Sequence, residues 1–117
     1  MNKISVIPFQ TGEIAVSGSW TGEAIDLSKL SNETRLSVQP LVTGDGTAKI
    51  EVLASNDGLN FVDTQQDVAT GLTVANYAPI IITTTMLPYC RWFKFKVTET
   101  AGVATETVTL QLYLFVQ

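Results

Sequence analysis

The 117-residue chain has no histidine, a single cysteine and few charges. Without histidine, Ser-His-Asp and Cys-His catalysis, imidazole ligation of a metal and a histidine pH switch are all excluded within one chain. With Cys90 alone, an intrachain disulfide and a cysteine-rich zinc site are excluded as well. Cys90 stands in the apolar and aromatic run Leu87-Pro88-Tyr89-Cys90-Arg91-Trp92-Phe93, where a buried, inert thiol is the expected state. Charged residues make up 15% of the chain and the net charge is −4, so an electrostatic grip on a phosphate backbone is not expected and nucleic acid is not a predicted partner. No segment approaches the ~20 consecutive apolar residues of a membrane-spanning helix, and no membrane partner is predicted.

Nor does the N-terminus read as an export signal. Lys3 supplies one positive charge, but Pro8-Phe9-Gln10 breaks the apolar stretch before a small-residue cleavage site. The mature protein is therefore expected to begin here and to be made in a cytoplasm, and the sequon Asn32-Glu33-Thr34 carries no consequence without export.

What is present is strand signal. Hydrophobic residues make up 45% of the chain, and sixteen threonines and twelve valines suit half-buried pleated surfaces rather than long helices. A chain of this length buries about two-thirds of its surface on folding, enough for one core, so residues 1–117 are expected to form a single domain.

Leu36, Val38, Pro40 and Val42 alternate with Arg35, Ser37, Gln39 and Leu41; beyond Gly44-Asp45-Gly46, Ala48, Ile50, Val52 and Ala54 alternate with Lys49, Glu51, Leu53 and Ser55. Two period-two runs joined by residues that accept positive φ predict a β-hairpin. Pro40 has no N–H to donate, which predicts an edge or bulge position for its strand.

A second long pair is expected where Arg91, Phe93, Phe95 and Val97 oppose Trp92, Lys94, Lys96 and Thr98, and Thr100-Ala101-Gly102 turns the chain into Val108, Leu110, Leu112, Leu114 and Val116. This last run is the most regular alternation and predicts a central core strand. Shorter strands are expected at residues 3–9, 13–17, 23–26, 61–64 and 77–83, and a single helical turn over 27–30. The resulting architecture is all-β: an antiparallel two-sheet sandwich of about eight strands, jelly roll or other Greek key.

The acids and the aromatics are the side chains that could form a site. Asn56-Asp57-Gly58-Leu59-Asn60 offers some oxygens of a calcium loop but lacks the full spacing, and the residue types favour an Asx-type turn. No spacing implies the facing carboxylates of a glycosidase, and no metal, cofactor or enzymatic activity is expected. Trp20, within Ser17-Gly18-Ser19-Trp20-Thr21-Gly22, is either a platform on which a sugar stacks or a lid over one end of the sandwich.

Trp92, Lys94 and Lys96 share a strand face, so the Trp92 indole needs a cover: Tyr113 or Phe115 across the ladder, a loop, or another subunit. Tyr113 and Phe115 lie opposite Leu110, Leu112 and Leu114, which makes the last strand apolar on both sides and asks for a neighbouring subunit. Trp92, Lys94, Tyr113 and Phe115 are the candidate oligomer or docking face.

Three segments taken together carry a resemblance: Ser17-Gly18-Ser19-Trp20-Thr21-Gly22; Ala48-Lys49-Ile50-Glu51-Val52-Leu53-Ala54-Ser55-Asn56-Asp57-Gly58-Leu59-Asn60-Phe61; and Tyr89-Cys90-Arg91-Trp92-Phe93-Lys94-Phe95-Lys96-Val97-Thr98. In their order and turn residues they resemble small β-sandwich structural proteins of tailed bacteriophages and prophages, and the pattern is similar to discoidin-like jelly rolls. The resemblance implies a non-enzymatic virion component that oligomerises and docks on other virion proteins: a capsid decoration protein, or a neck or tail accessory. Its alternative implication is a carbohydrate-binding, receptor-recognising domain of a tail fibre or cell-surface assembly, for which the residues themselves offer Trp20 or Trp92 as the stacking platform.

Overall fold

A computed structural model describes residues 5–27, 36–75, 80–82 and 90–116. Among them are nine strands: β1 (Ser5–Ile14), β2 (Ser19–Thr21), β3 (Ile25–Asp26), β4 (Leu36–Gly44), β5 (Ala48–Ser55), β6 (Val62–Leu72), β7 (Ile80–Ile82), β8 (Trp92–Glu99) and β9 (Val108–Val116). The first sheet has the order β1-β9-β4-β7; the second has the order β2-β8-β5-β6, with β3 on the same edge of β8 as β2. Every pairing is antiparallel. The chain alternates between the sheets except where β3 follows β2 and β6 follows β5 within the second sheet, and this connectivity, with β2 and β3 as one bulged edge, is a jelly roll.

β9 is central, lying between β1 and β4 as its alternation predicts. Leu110, Leu112 and Leu114 point inward from it and are fully buried, as are Phe93, Phe95 and Val97 on the facing β8. Each such side chain stabilises the fold by about 1.5–3 kcal/mol relative to exposure.

Aromatic contacts run across the interface. The Phe9 ring of the first sheet meets Phe95 of the second edge-on at 5.9 Å, and Phe95 meets Phe93 in the same manner at 5.3 Å. These offset geometries place positive ring edges against negative ring faces.

Two expected hairpins are corners instead. Gly44-Asp45-Gly46 carries the chain from β4 in the first sheet to β5 in the second, and residues 100–107 carry it from β8 in the second to β9 in the first. Period-two alternation says which side chains share a face but not which strand becomes the neighbour. The one sequential hairpin among the described residues is β5–β6, around residues 56–61.

The two corners clasp each other at one end of the sandwich. Gly46 N–H donates to the Thr107 carbonyl at 2.8 Å, Thr107 N–H to Asp45 Oδ1 at 3.0 Å, and Thr100 N–H to the Thr47 carbonyl at 2.8 Å. Glu99, 2% exposed, accepts from the backbone N–H groups of Ala101 and Gly102 at 2.9 and 2.8 Å. A buried carboxylate is tolerated there because these donors face its charge.

Pro40 lies in an inner strand, with a local reason. Among the described residues β7 pairs with β4 over Leu36–Val38, so at Pro40 no described strand stands on the side away from β9 to ask for a ladder bond. The exposed edges carry features that discourage further pairing: Pro8 and a bulge between Gln10 and Glu13 in β1, and repeated register shifts with Asp63 and Asp67 in β6. β1 merges the two strands expected at 3–9 and 13–17, and β6 extends well beyond the expected 61–64. β2, around Trp20, was not expected. Residues 28–30 of the helical turn anticipated over 27–30 and the outer parts of the 77–83 strand lie outside the described residues.

One polar atom inside the fold is unmatched. Thr98 Oγ1 is buried and has no hydrogen-bond partner among the described residues. Thr98→Val should therefore be neutral or stabilising by up to about 1 kcal/mol, because it removes a desolvated hydroxyl that gains nothing. Equilibrium urea unfolding reads this directly, and a loss above 1 kcal/mol would reveal a partner for the hydroxyl.

Candidate functional site

The jelly roll gives the chain two outer sheet faces of opposite character. On the second sheet, Trp92, Lys94 and Lys96 stand on β8 opposite Ser55, Leu53 and Glu51 of β5, and Leu53 and Glu51 in turn oppose Asp63 and Asp67 of β6. Charges of both signs therefore interleave across this face, and Lys49 pairs with Glu51 at 3.4 Å.

The outer face of the first sheet is different. Its rows, read from β1 across β9 to β4, are Val6–Phe115–Ser37, Pro8–Tyr113–Gln39 and Gln10–Gln111–Leu41. None of these residues is charged. Among the described residues of these three strands, the first charge on this face is Glu13, opposite Thr109 beyond the bulge. Tyr113 and Phe115 are half-buried, Val6 is 57% exposed, and the Tyr113 hydroxyl donates to Gln111 Oε1 at 3.0 Å.

The four residues expected to form one docking face are thus separated. Trp92 and Lys94 lie outside the second sheet, and Tyr113 and Phe115 outside the first, because β8 and β9 part at the corner rather than pairing. Trp92 is covered by its own chain: a Cβ placed on Gly58 would sit 3.3 Å from the indole, and the Arg91 guanidinium lies 4.2 Å from the ring centroid. Of the three expected covers, the loop is the one found. Lys94 is likewise engaged, with Nζ 4.2 Å over the Phe61 ring.

That covering loop is the Asx-type turn read from the sequence. Asp57 Oδ1 accepts from Ser55 Oγ and from the N–H groups of Leu59 and Asn60 at 2.8–2.9 Å, and Oδ2 accepts from the Asn60 side-chain amide at 2.8 Å. These donors, led by the Asn60 backbone N–H, hold the Asp57 carboxyl far below the ordinary carboxylate range. A depressed folded-state pKa contributes stability that is present above the unfolded value, near 4, and is lost as pH falls below it. Asp57→Ala should lower the melting temperature at pH 7 and flatten its acid limb, so that the gap between parent and variant narrows as pH falls from about 4 toward 2. A constant gap between the two melting curves from pH 7 to pH 2 would show that the carboxylate charge plays no part.

Trp20 closes the side of the sandwich between edge strands β1 and β2, not one end as expected. Its indole lies over Gly22, where a Cβ would come within 2.7 Å of the six-membered ring, and it meets Phe9 edge-on at 6.4 Å. Between β2 and β3 the chain bulges: Thr21 to Ile25 advances four residues while β8 advances three, from Lys96 to Phe93. With Phe9, Gln10, Glu23 and Lys94, the half-buried Trp20 lines a groove of about 700 Å³ along this edge.

Cys90 is half-buried, and desolvation pushes its thiol pKa up, which keeps it protonated and unreactive at neutral pH. Among the described residues no three acidic or thiol side chains gather as metal ligands do, and no helix is long and apolar enough to cross a membrane.

Leu41, Gln39, Val6 and Pro8 belong to the neutral face and were not singled out from sequence. Their signal was legible in principle, as a run of uncharged alternate positions within each of three strands, but only with the strand order known. Compared with known proteins, the chain matches no family model and no curated sequence.

Proposed function

We propose that this chain is a non-enzymatic structural protein of a phage particle, a capsid decoration or neck or tail accessory protein, acting through oligomerisation and docking on a particle surface. The observation that carries this reading is the segregation of its two outer faces, one mixed in charge and one neutral with Tyr113 and Phe115 on it. A rigid body with one desolvated-ready face is suited to repeated packing, since neutral side chains lose little hydration when covered. The resemblance of the three segments to phage and prophage sandwiches supplies the virion setting. Jelly rolls also serve as viral capsid domains, an analogy at the level of fold alone.

Particles purified on a density gradient from lysates of the source organism, and analysed by mass spectrometry, test the proposal. The chain is expected in the particle fractions at a fixed ratio to the major structural proteins. Its confinement to the soluble fraction would overturn the virion reading.

A second reading, a carbohydrate-binding module, is favoured by the Trp20 groove, where an aromatic ring stands beside the amide, carboxylate and ammonium groups of Gln10, Glu23 and Lys94. Much of the indole is already committed to Gly22 and Phe9, which places this reading second. A glycan array with hits abolished by Trp20→Ala would promote it, and an array without hits would dispose of it.

A further inference from the structure

We infer that the neutral outer face of the first sheet is a two-fold contact surface for a second copy of this chain. The inference rests on the structural reading only in taking the protein to work by surface packing. Around a two-fold axis residue i meets j and j meets i, and only a residue on the axis meets its own copy, so a charge near the axis faces the same charge. The rows from Val6–Phe115 to Gln10–Gln111 contain no charge, and the net charge of −4 makes approach elsewhere repulsive on average.

The polar groups on this face also suit self-pairing. Gln39, Gln111 and Tyr113 each carry a donor and an acceptor, so any of them can bond its own copy, as a carboxylate or ammonium cannot. The Tyr113–Gln111 hydrogen bond holds the central ring in place before contact, which reduces the ordering cost of association. A foreign partner for an acidic protein is ordinarily recruited by opposite charge, and this face offers an oppositely charged surface nothing to hold.

The size of the face sets the strength. The uncharged rows span Gln111–Phe115 of β9, about 17 Å, and three strands spaced at ~4.8 Å make them about 15 Å wide, roughly 250 Å² in projection. Standard stable interfaces cover about 800 Å² per partner, so this dimer belongs to the weak, transient class. Repetition on an assembly would raise the effective strength of such a contact.

Sedimentation velocity of the full chain from about 10 μM to 1 mM provides the test, with circular dichroism and melting temperature confirming the fold of each variant. The weight-average sedimentation coefficient should rise toward that of a dimer, and association should tighten several-fold as salt rises from about 20 to 300 mM, because salt screens the repulsion of two acidic bodies. Tyr113→Lys, and independently Leu41→Lys, should weaken it at least tenfold even though each lowers the net negative charge. Val62→Lys makes the same charge change at a residue 65% exposed on β6 and should leave association as tight as in the parent or tighter.

A monomer throughout the concentration range overturns the inference and leaves the face to a different protein. Equal weakening by Val62→Lys, or weakening by salt, overturns the assignment to this face. A monomer found on purified particles would fail this inference while sparing the virion reading; a dimer absent from every particle would do the reverse.

Discussion

Phe95→Ala is expected to destabilise the protein by about 3–5 kcal/mol, the range for a large aromatic removed from a packed core. Phe95 is fully buried on β8 and touches Phe93 of its own sheet and Phe9 of the opposite one, so its removal opens a cavity at the joint between the sheets. With whole domains stable by only about 5–15 kcal/mol, this change alone should consume a large part of the margin. Phe95→Leu, which keeps most of the volume, should cost distinctly less. Urea unfolding followed by tryptophan fluorescence measures both. A loss below 1 kcal/mol for the alanine variant would mean that the two sheets do not meet over this ring.

Gly44→Ala should cost about 2–4 kcal/mol, for two reasons that a comparison can separate. Gly44 has φ of 96°, which an alanine adopts only under strain, and a Cβ there would lie 2.5 Å from the Thr107 carbonyl oxygen. That oxygen is backbone and also accepts from Gly46 N–H, so it cannot move without loosening the paired corners. Gly71→Ala supplies the reference: φ is 65° and no atom lies within 4 Å of the added methyl, so only the conformational strain of about 1–2 kcal/mol applies. Calorimetric melting temperatures should order parent, Gly71→Ala and Gly44→Ala from highest to lowest. Equal losses would show that the close approach of Gly44 to Thr107 does not constrain the fold.

The corner at Gly44 also marks where reading the chain locally stopped working. Gly-Asp-Gly between two alternating runs is a hairpin signal because those residues accept tight-turn dihedrals, and a crossing between sheets uses the same dihedrals. The turn chemistry was therefore legible and its destination was not. At Asp57 the opposite holds. Ser55, Asp57 and Asn60 satisfy one another within six residues, so the turn is a local object and its form follows from residue types alone. Trp92 shows the intermediate case: the need for a cover was evident from its place beside lysines, while the identity of that cover depended on how the turn at Gly58 folds back.

The neutral face illustrates the same limit for function. Tyr113 and Phe115 were picked out because β9 is apolar on both sides. Their true neighbours, Pro8, Gln39 and Val6, come from strands separated from β9 by most of the chain. From the sequence alone came the all-β class, the inward and outward sides of β4, β5, β8 and β9, the central place of β9 and the absence of imidazole chemistry. These follow from residue inventory and from a two-residue period, which are properties of short stretches. Which sheet each strand joined, and hence which outward residues stand together, was decided only in the folded molecule, because strand partners are chosen by corners and hydrogen bonds between distant segments that no local pattern encodes.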